Sequence, residues 1–133
     1  MRVRTRSVLT AAVTAGLLAA TAAPALAAQH NGRCENNEMC LYYNSNLGGS
    51  FHDFSVKVPN FGTYKFISGG AGQGQYVKNN AASAVNNADV CNARVYFNSN
   101  YQGAYDEIKD DTWANLTATY NDNASFQWPG WLC

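Results

Sequence analysis

Tyr96-Phe97-Asn98-Ser99-Asn100-Tyr101-Gln102-Gly103 repeats, with changes, a stretch that stands 54 residues earlier: Tyr42-Tyr43-Asn44-Ser45-Asn46-Leu47-Gly48-Gly49. Tyr, Asn, Ser, Asn and Gly recur in register, while Phe97 and Tyr101 replace Tyr43 and Leu47. Self-similarity at this scale points to a duplicated structural unit. Each copy reads as a strand running into a tight hairpin, with a Gly that permits positive φ or a ring lying on bare backbone.

Strands are predicted at Met39 to Tyr43 and Arg94 to Phe97, with hairpin partners at Gly49 to Phe54 and Gly103 to Ile108. The chain between is rich in Asn, Gly, Tyr, Phe and Val, which favours strands and turns over helices. Short strands at regular spacing predict an all-β sandwich or barrel. A second echo, Asn79-Asn80-Ala81-Ala82-Ser83 with Asn121-Asp122-Asn123-Ala124-Ser125, has an offset of 42. The first unit therefore carries 12 extra residues. They are expected within Gly62 to Gln75, where the Gly-rich run at 68–74 predicts a mobile loop that does not bury itself.

Arg2, Arg4 and Arg6, an apolar run to Ala23 and the Ala25-Leu26-Ala27 site read as a secretory signal peptide over residues 1–27. Residues 28–133 then form a single domain, 106 residues long, with six basic against nine acidic side chains. No basic patch survives, so neither nucleic acid nor an anionic membrane is an expected partner. Cys34, Cys40, Cys91 and Cys133 are an even count in a small secreted domain, the pattern of two disulfides. Three pairings exist; the preferred one is Cys34–Cys40, closing a short loop, with Cys91–Cys133, tying the C-terminus to the second repeat. No Cys-x-x-Cys spacing suggests a metal, and His30 and His52 are far apart in the chain.

Tyr96-x4-Tyr101-x-Gly103 with Asn121-Asp122-x-x-Ser125 resembles the Greek-key motif of the βγ-crystallin superfamily; Tyr42-x4-Leu47-x-Gly49 with Asn79-Asn80-x-x-Ser83 is a weaker copy. The resemblance implies a sandwich of two Greek keys of four strands each, about 39–87 and 91–128. Within that superfamily the chain is similar to the Streptomyces metalloproteinase inhibitor family, secreted bacterial peptidase inhibitors. The shared features are the signal peptide, four cysteines and Cys40-Leu41-Tyr42-Tyr43-Asn44-Ser45-Asn46 opening the first key.

That likeness implies tight, substrate-like inhibition of thermolysin-type zinc peptidases by a monomeric protein with no required cofactor. The expected inhibitory element is the inter-repeat loop with Asp89, Val90, Cys91 and Asn92. In the family the cut bond follows a cysteine, which carries over to Cys91–Asn92. Such peptidases prefer an apolar residue after the cut bond, a preference that points instead to Asp89–Val90. The crystallin likeness also implies calcium at Asn79, Asn80 and Ser83 and at Asn121, Asp122 and Ser125, but Ala84 and Phe126 stand where the closing Ser belongs, so weak or no binding is expected. The plainer reading of these stretches is a turn whose side chains satisfy backbone groups.

The alternative function is a module binding cell-wall polysaccharide, with Trp113, Trp128, Trp131 and the tyrosines as contacts, similar to crystallin-fold antifungal proteins. A calcium-stabilised structural domain is the third. Catalysis is not expected: no nucleophile elbow or His-Glu-x-x-His appears, and Asp106-Glu107 and Asp110-Asp111 read as a solvated hairpin face.

Overall fold

Two antiparallel sheets carry the repeat. The computed structural model describes residues 29–131 and Cys133, so the signal peptide expected over residues 1–27 lies outside the described residues. Strands β1 (Met39–Asn44), β2 (Gly48–Phe54), β3 (Ser83–Asn86) and β6 (Thr112–Asn115) form one sheet in the order β2-β1-β3-β6. Strands β4 (Ala93–Asn98), β5 (Gln102–Ile108) and β7 (Ser125–Gln127) form the other in the order β5-β4-β7.

The echo is repeated in the backbone. Both hairpins slip register at the same place, between Tyr42 and Asn44 and between Tyr96 and Asn98. Asn46 and Leu47 have φ 57° and 55°; Asn100 and Tyr101 have 61° and 62°. Positive φ at both central residues is the mark of a primed hairpin turn, whose twist matches the strands. Gly49 (φ 73°) and Gly103 (φ 82°) follow, and a Cβ at either would meet a neighbouring atom at 2.8 Å. Positive φ demands Gly at both positions, and at Gly49 the Ala71 backbone carbonyl also leaves no room for a Cβ.

A serine locks each hairpin. The Ser83 hydroxyl donates to the Asn44 carbonyl at 2.6 Å and accepts from Leu47 N–H at 3.0 Å. Ser125 does the same for Asn98 and Tyr101, at 2.7 and 3.0 Å. The two units are also bonded reciprocally: Asn79 N–H donates to the Asn123 carbonyl and Asn121 N–H to the Ala81 carbonyl.

The keys exchange strands. β6, from the second key, pairs with β3 of the first, while Val58 of the first key bridges Phe126 of β7. Four strands per key were expected; the first has three and this single bridge. Pro59 follows Val58 and has no N–H to extend a ladder. Met39, Leu41, Phe54, Phe61, Val95 and Phe126 fill the space between the sheets and are buried. The cysteines pair as preferred, Cys34–Cys40 and Cys91–Cys133.

The Gly-rich insertion differs from its expectation. It does not stand off the body but lines the free edge of β2. Ser50 N–H donates to Ala71 O at 2.8 Å, Ile67 N–H to Phe51 O at 3.0 Å, and Phe51 N–H to the Ser68 hydroxyl at 2.7 Å. The Tyr43 ring lies on Gly72, where a Cβ would come within 2.2 Å of the ring. Phe66 from this segment is buried in the core. An open strand edge is a pairing hazard, and the insertion covers this one.

Candidate functional site

The chain crosses from the first key to the second through residues 87–92, between β3 and β4. Asp89 and Val90 are exposed at its crest, Val90 to 84%. Val90 has φ 62°, a conformation that a β-branched residue adopts only at a cost of about 1–3 kcal/mol. The flanking structure must therefore hold the loop in place.

It does so on both sides. On the entry side, Asn87 N–H donates to Glu38 O at 2.8 Å and Asn37 N–H to Asn87 O at 2.8 Å. The Asn87 amide reaches the carbonyls of Cys34 and Glu35, at 3.4 and 3.3 Å, beside the Cys34–Cys40 disulfide. On the exit side, Cys91 is bonded to Cys133, and Asn92 Oδ1 accepts from Asp110 N–H at 3.1 Å. Both disulfides thus converge on one loop.

Beneath the crest lies Asn86, the last residue of β3 and fully buried. Its Nδ2 donates to Cys91 O at 2.7 Å and to Ile108 O at 3.2 Å; its Oδ1 accepts from Ala88 N–H at 3.2 Å and from Trp128 Nε1–H at 3.0 Å. The Cys91 carbonyl consequently points inward. Sequence reading passed over Asn86 because a polar residue at a strand end is unremarkable until its burial is known.

Of the three tryptophans, Trp128 is half-buried, its ring edge-on to Phe126. Trp113 on β6 and Trp131 are exposed, to 50% and 92%. Trp128 therefore covers an end of the core, while the other two leave an aromatic surface open.

The residues considered for calcium sit in the hairpin-locking turns. Asn79 and Asn121 have positive φ (62° and 54°), the Asn80 amide donates to the Tyr76 and Lys78 carbonyls, and the Ser83 and Ser125 hydroxyls make the hairpin bonds already described. Asp122 is exposed. Among the described residues no three His, Cys, Asp or Glu side chains form a group that could hold a metal ion.

Two features correct the sequence reading. His30 and His52, distant in the chain, meet: His30 Nδ1 lies 2.7 Å from His52 Nε2. His52 Nδ1 must donate to the Lys65 carbonyl, which only accepts, so its Nε2 carries the lone pair and His30 Nδ1–H the proton. Burial holds His52 below its ordinary pKa, with His30 adding to the effect. Asp106 is likewise no solvated bystander. Its carboxylate accepts from the amide and hydroxyl of Thr117 and Thr119 and from Ala118 N–H, at 2.7–3.2 Å. Burial alone would raise its pKa, but these donors hold it below the usual range. Its neighbour Glu107 pairs with Arg94 at 2.8 Å.

The fold is that of the βγ-crystallins. A structure from work on the evolution of the eye-lens βγ-crystallin domain fold superposes with a TM-score of 0.54 at 13% identity, covering 72% of this chain and 88% of that one. A βγ-crystallin from an archaeon gives 0.48 at 18% identity, covering 71% and 100%. No curated protein sequence matches the chain. The class that fold and family together define is a crystallin-fold peptidase inhibitor, not an enzyme. Residues 27–108, spanning the first key, the inter-key loop and β4–β5, match peptidase inhibitor family I36, and the chain belongs to that family.

Proposed function

We propose that this chain is a secreted, monomeric inhibitor of thermolysin-like zinc peptidases and that residues 89–92 are its inhibitory element. The observation that carries the reading is Val90: an apolar side chain exposed at the crest of a loop held from below on both sides. A peptide ordered before binding avoids most of the entropic cost of entering a cleft. Of the two candidate bonds, Asp89–Val90 is the one presented. It places Val90 after the cut, where these peptidases accept an apolar group, whereas the Cys91 carbonyl is already engaged by Asn86. A peptidase zinc could not polarise that carbonyl without breaking the bond.

The test is a panel of purified peptidases, with inhibition constants measured for wild type and Val90→Asp. The reading expects tight inhibition confined to zinc enzymes that select apolar residues after the cut, weakened at least tenfold by the charge. Equal inhibition of serine peptidases, or no effect of Val90→Asp, would overturn it.

The exposed Trp113 and Trp131 favour a second reading, recognition of cell-wall polysaccharide. Pull-down on insoluble wall polysaccharide, with Trp131→Ala for comparison, decides that one: retention of wild type and loss in the variant would support it.

A further inference from the structure

Asn86 does more than support a strand end. One side chain grips the loop at two points, Ala88 N–H and Cys91 O, and these flank the Asp89–Val90 bond symmetrically, one residue removed on either side. The same amide is anchored to the second key through Ile108 O and to the C-terminal segment through Trp128 Nε1–H. We infer that Asn86 is the positioning residue that makes this protein an inhibitor rather than a substrate, by holding both halves of the loop together after the bond is cut. The inference rests on the assignment of the inhibitory loop above.

The chemistry is reversible hydrolysis. Cutting adds one water across the peptide C–N bond, leaving the Asp89 α-carboxylate and the Val90 α-amine. Resynthesis joins them and expels that water on the same enzyme. In an ordinary substrate the two ends diffuse apart and cutting runs to completion. Here neither can leave. The Asp89 end is held by Ala88 N–H and by the bonds of Asn87 to Glu38, Cys34 and Glu35. The Val90 end is held by the Cys91 carbonyl and the Cys91–Cys133 disulfide. Two ends kept adjacent by a rigid frame react as one molecule, at an effective concentration far above any free peptide. Both cysteines of that disulfide lie after the cut, so it ties Val90 only to its own half of the chain. The Asn86 side chain holds Ala88 N–H on its own half and bonds across the cut to Cys91 O and Trp128 Nε1–H on the other, from a buried position beside the bond.

The experiment measures the ratio of cut to intact inhibitor at equilibrium with catalytic peptidase, approached from both intact and cut protein. Variants are Asn86→Ala, Asn86→Asp, and Phe66→Leu as a core control remote from the loop. Asn86→Asp keeps the acceptor for Ala88 and Trp128 and removes the Nδ2 donor, and with it the bonds to the Cys91, Ile108 and Lys109 carbonyls, so it serves if the Ala variant does not fold. Wild type is expected to approach the same mixed ratio from both directions. The Asn86 variants are expected to shift toward the cut form at least tenfold and to be consumed as substrates, with kcat for cutting raised. Phe66→Leu should lose thermal stability but keep the wild-type ratio, which separates positioning from general weakening. A ratio in the Asn86 variants equal to that of Phe66→Leu would overturn the role of Asn86 while leaving the inhibitory loop intact. Failure of wild type to inhibit at all would overturn the loop assignment, and this inference with it.

Discussion

Val90 combines two properties that pull in opposite directions. Its φ of 62° opposes folding, while its exposed isopropyl group is the feature offered to a peptidase. Val90→Gly separates them. Removing the side chain relieves about 1–3 kcal/mol of strain, less about 0.5–1 kcal/mol of added chain entropy. The variant should melt several degrees higher, yet inhibit at least tenfold more weakly. Calorimetry with an inhibition titration reads both; a variant that is less stable than wild type would contradict the strained-crest account. A loss in function without a loss in stability marks a residue kept for binding. Glu38, beneath the loop entry, shows the same tension at a buried site. Its Oε1 has no partner and burial raises its pKa, so the charged form costs stability as pH rises above the ordinary value near 4.5.

At the scale of elements, the N-terminal strap is fastened beside His52, whose pKa burial lowers. The Asp53 carboxylate accepts from Asn31 and Gly32 N–H at 2.9 and 2.8 Å, and His30 donates to His52. Because the folded pKa of His52 lies below 6.5, the unfolded chain takes up the proton first. The contribution of the latch is therefore full above about pH 6.5 and is lost as pH falls below it. Denaturant midpoints should drop between pH 7 and 5, and His52→Gln should flatten that slope. Protection factors at Asn31 and Gly32, corrected for the intrinsic slowing of exchange in acid, should fall over the same interval; protection that stays constant would sink the latch. The locking turns carry a separate expectation. Their serine hydroxyls are committed to hairpin bonds, so calcium at 1 mM should stabilise by no more than about 0.4 kcal/mol, the value for a site half-filled at that concentration. A rise of many degrees in melting temperature would show that the turns reorganise around the ion.

The whole molecule is two keys joined by exchanged strands, a reciprocal pair of backbone bonds and a staple across the C-terminal half. Cys91–Cys133 spans 42 residues, which closure entropy makes worth about 4 kcal/mol, against about 2 kcal/mol for the six-residue Cys34–Cys40 loop. Replacing the Cys91–Cys133 pair by alanines should therefore cost more in chemical denaturation than replacing the other pair, and should speed cutting of the loop. The hairpins, the two-key plan and the crystallin fold were legible in the sequence because Tyr, Asn, Ser and Gly at fixed offsets each serve a backbone need that recurs in both copies. The covered edge of β2 was not, because glycines that read as slack are there to admit a tyrosine ring and a second backbone. The His30–His52 contact and the Asn86 bonds were hidden for another reason: both depend on tertiary proximity, which spacing along a chain does not encode. The most direct test of the account is mass spectrometry, over hours, of the protein mixed with a catalytic amount of a thermolysin-like peptidase. The account predicts one slow cut, at Asp89–Val90, with inhibition persisting and with the two halves, which share no disulfide, still associated when sprayed under native conditions. No inhibition, or rapid cutting in the Gly-rich segment at 68–74, would contradict it.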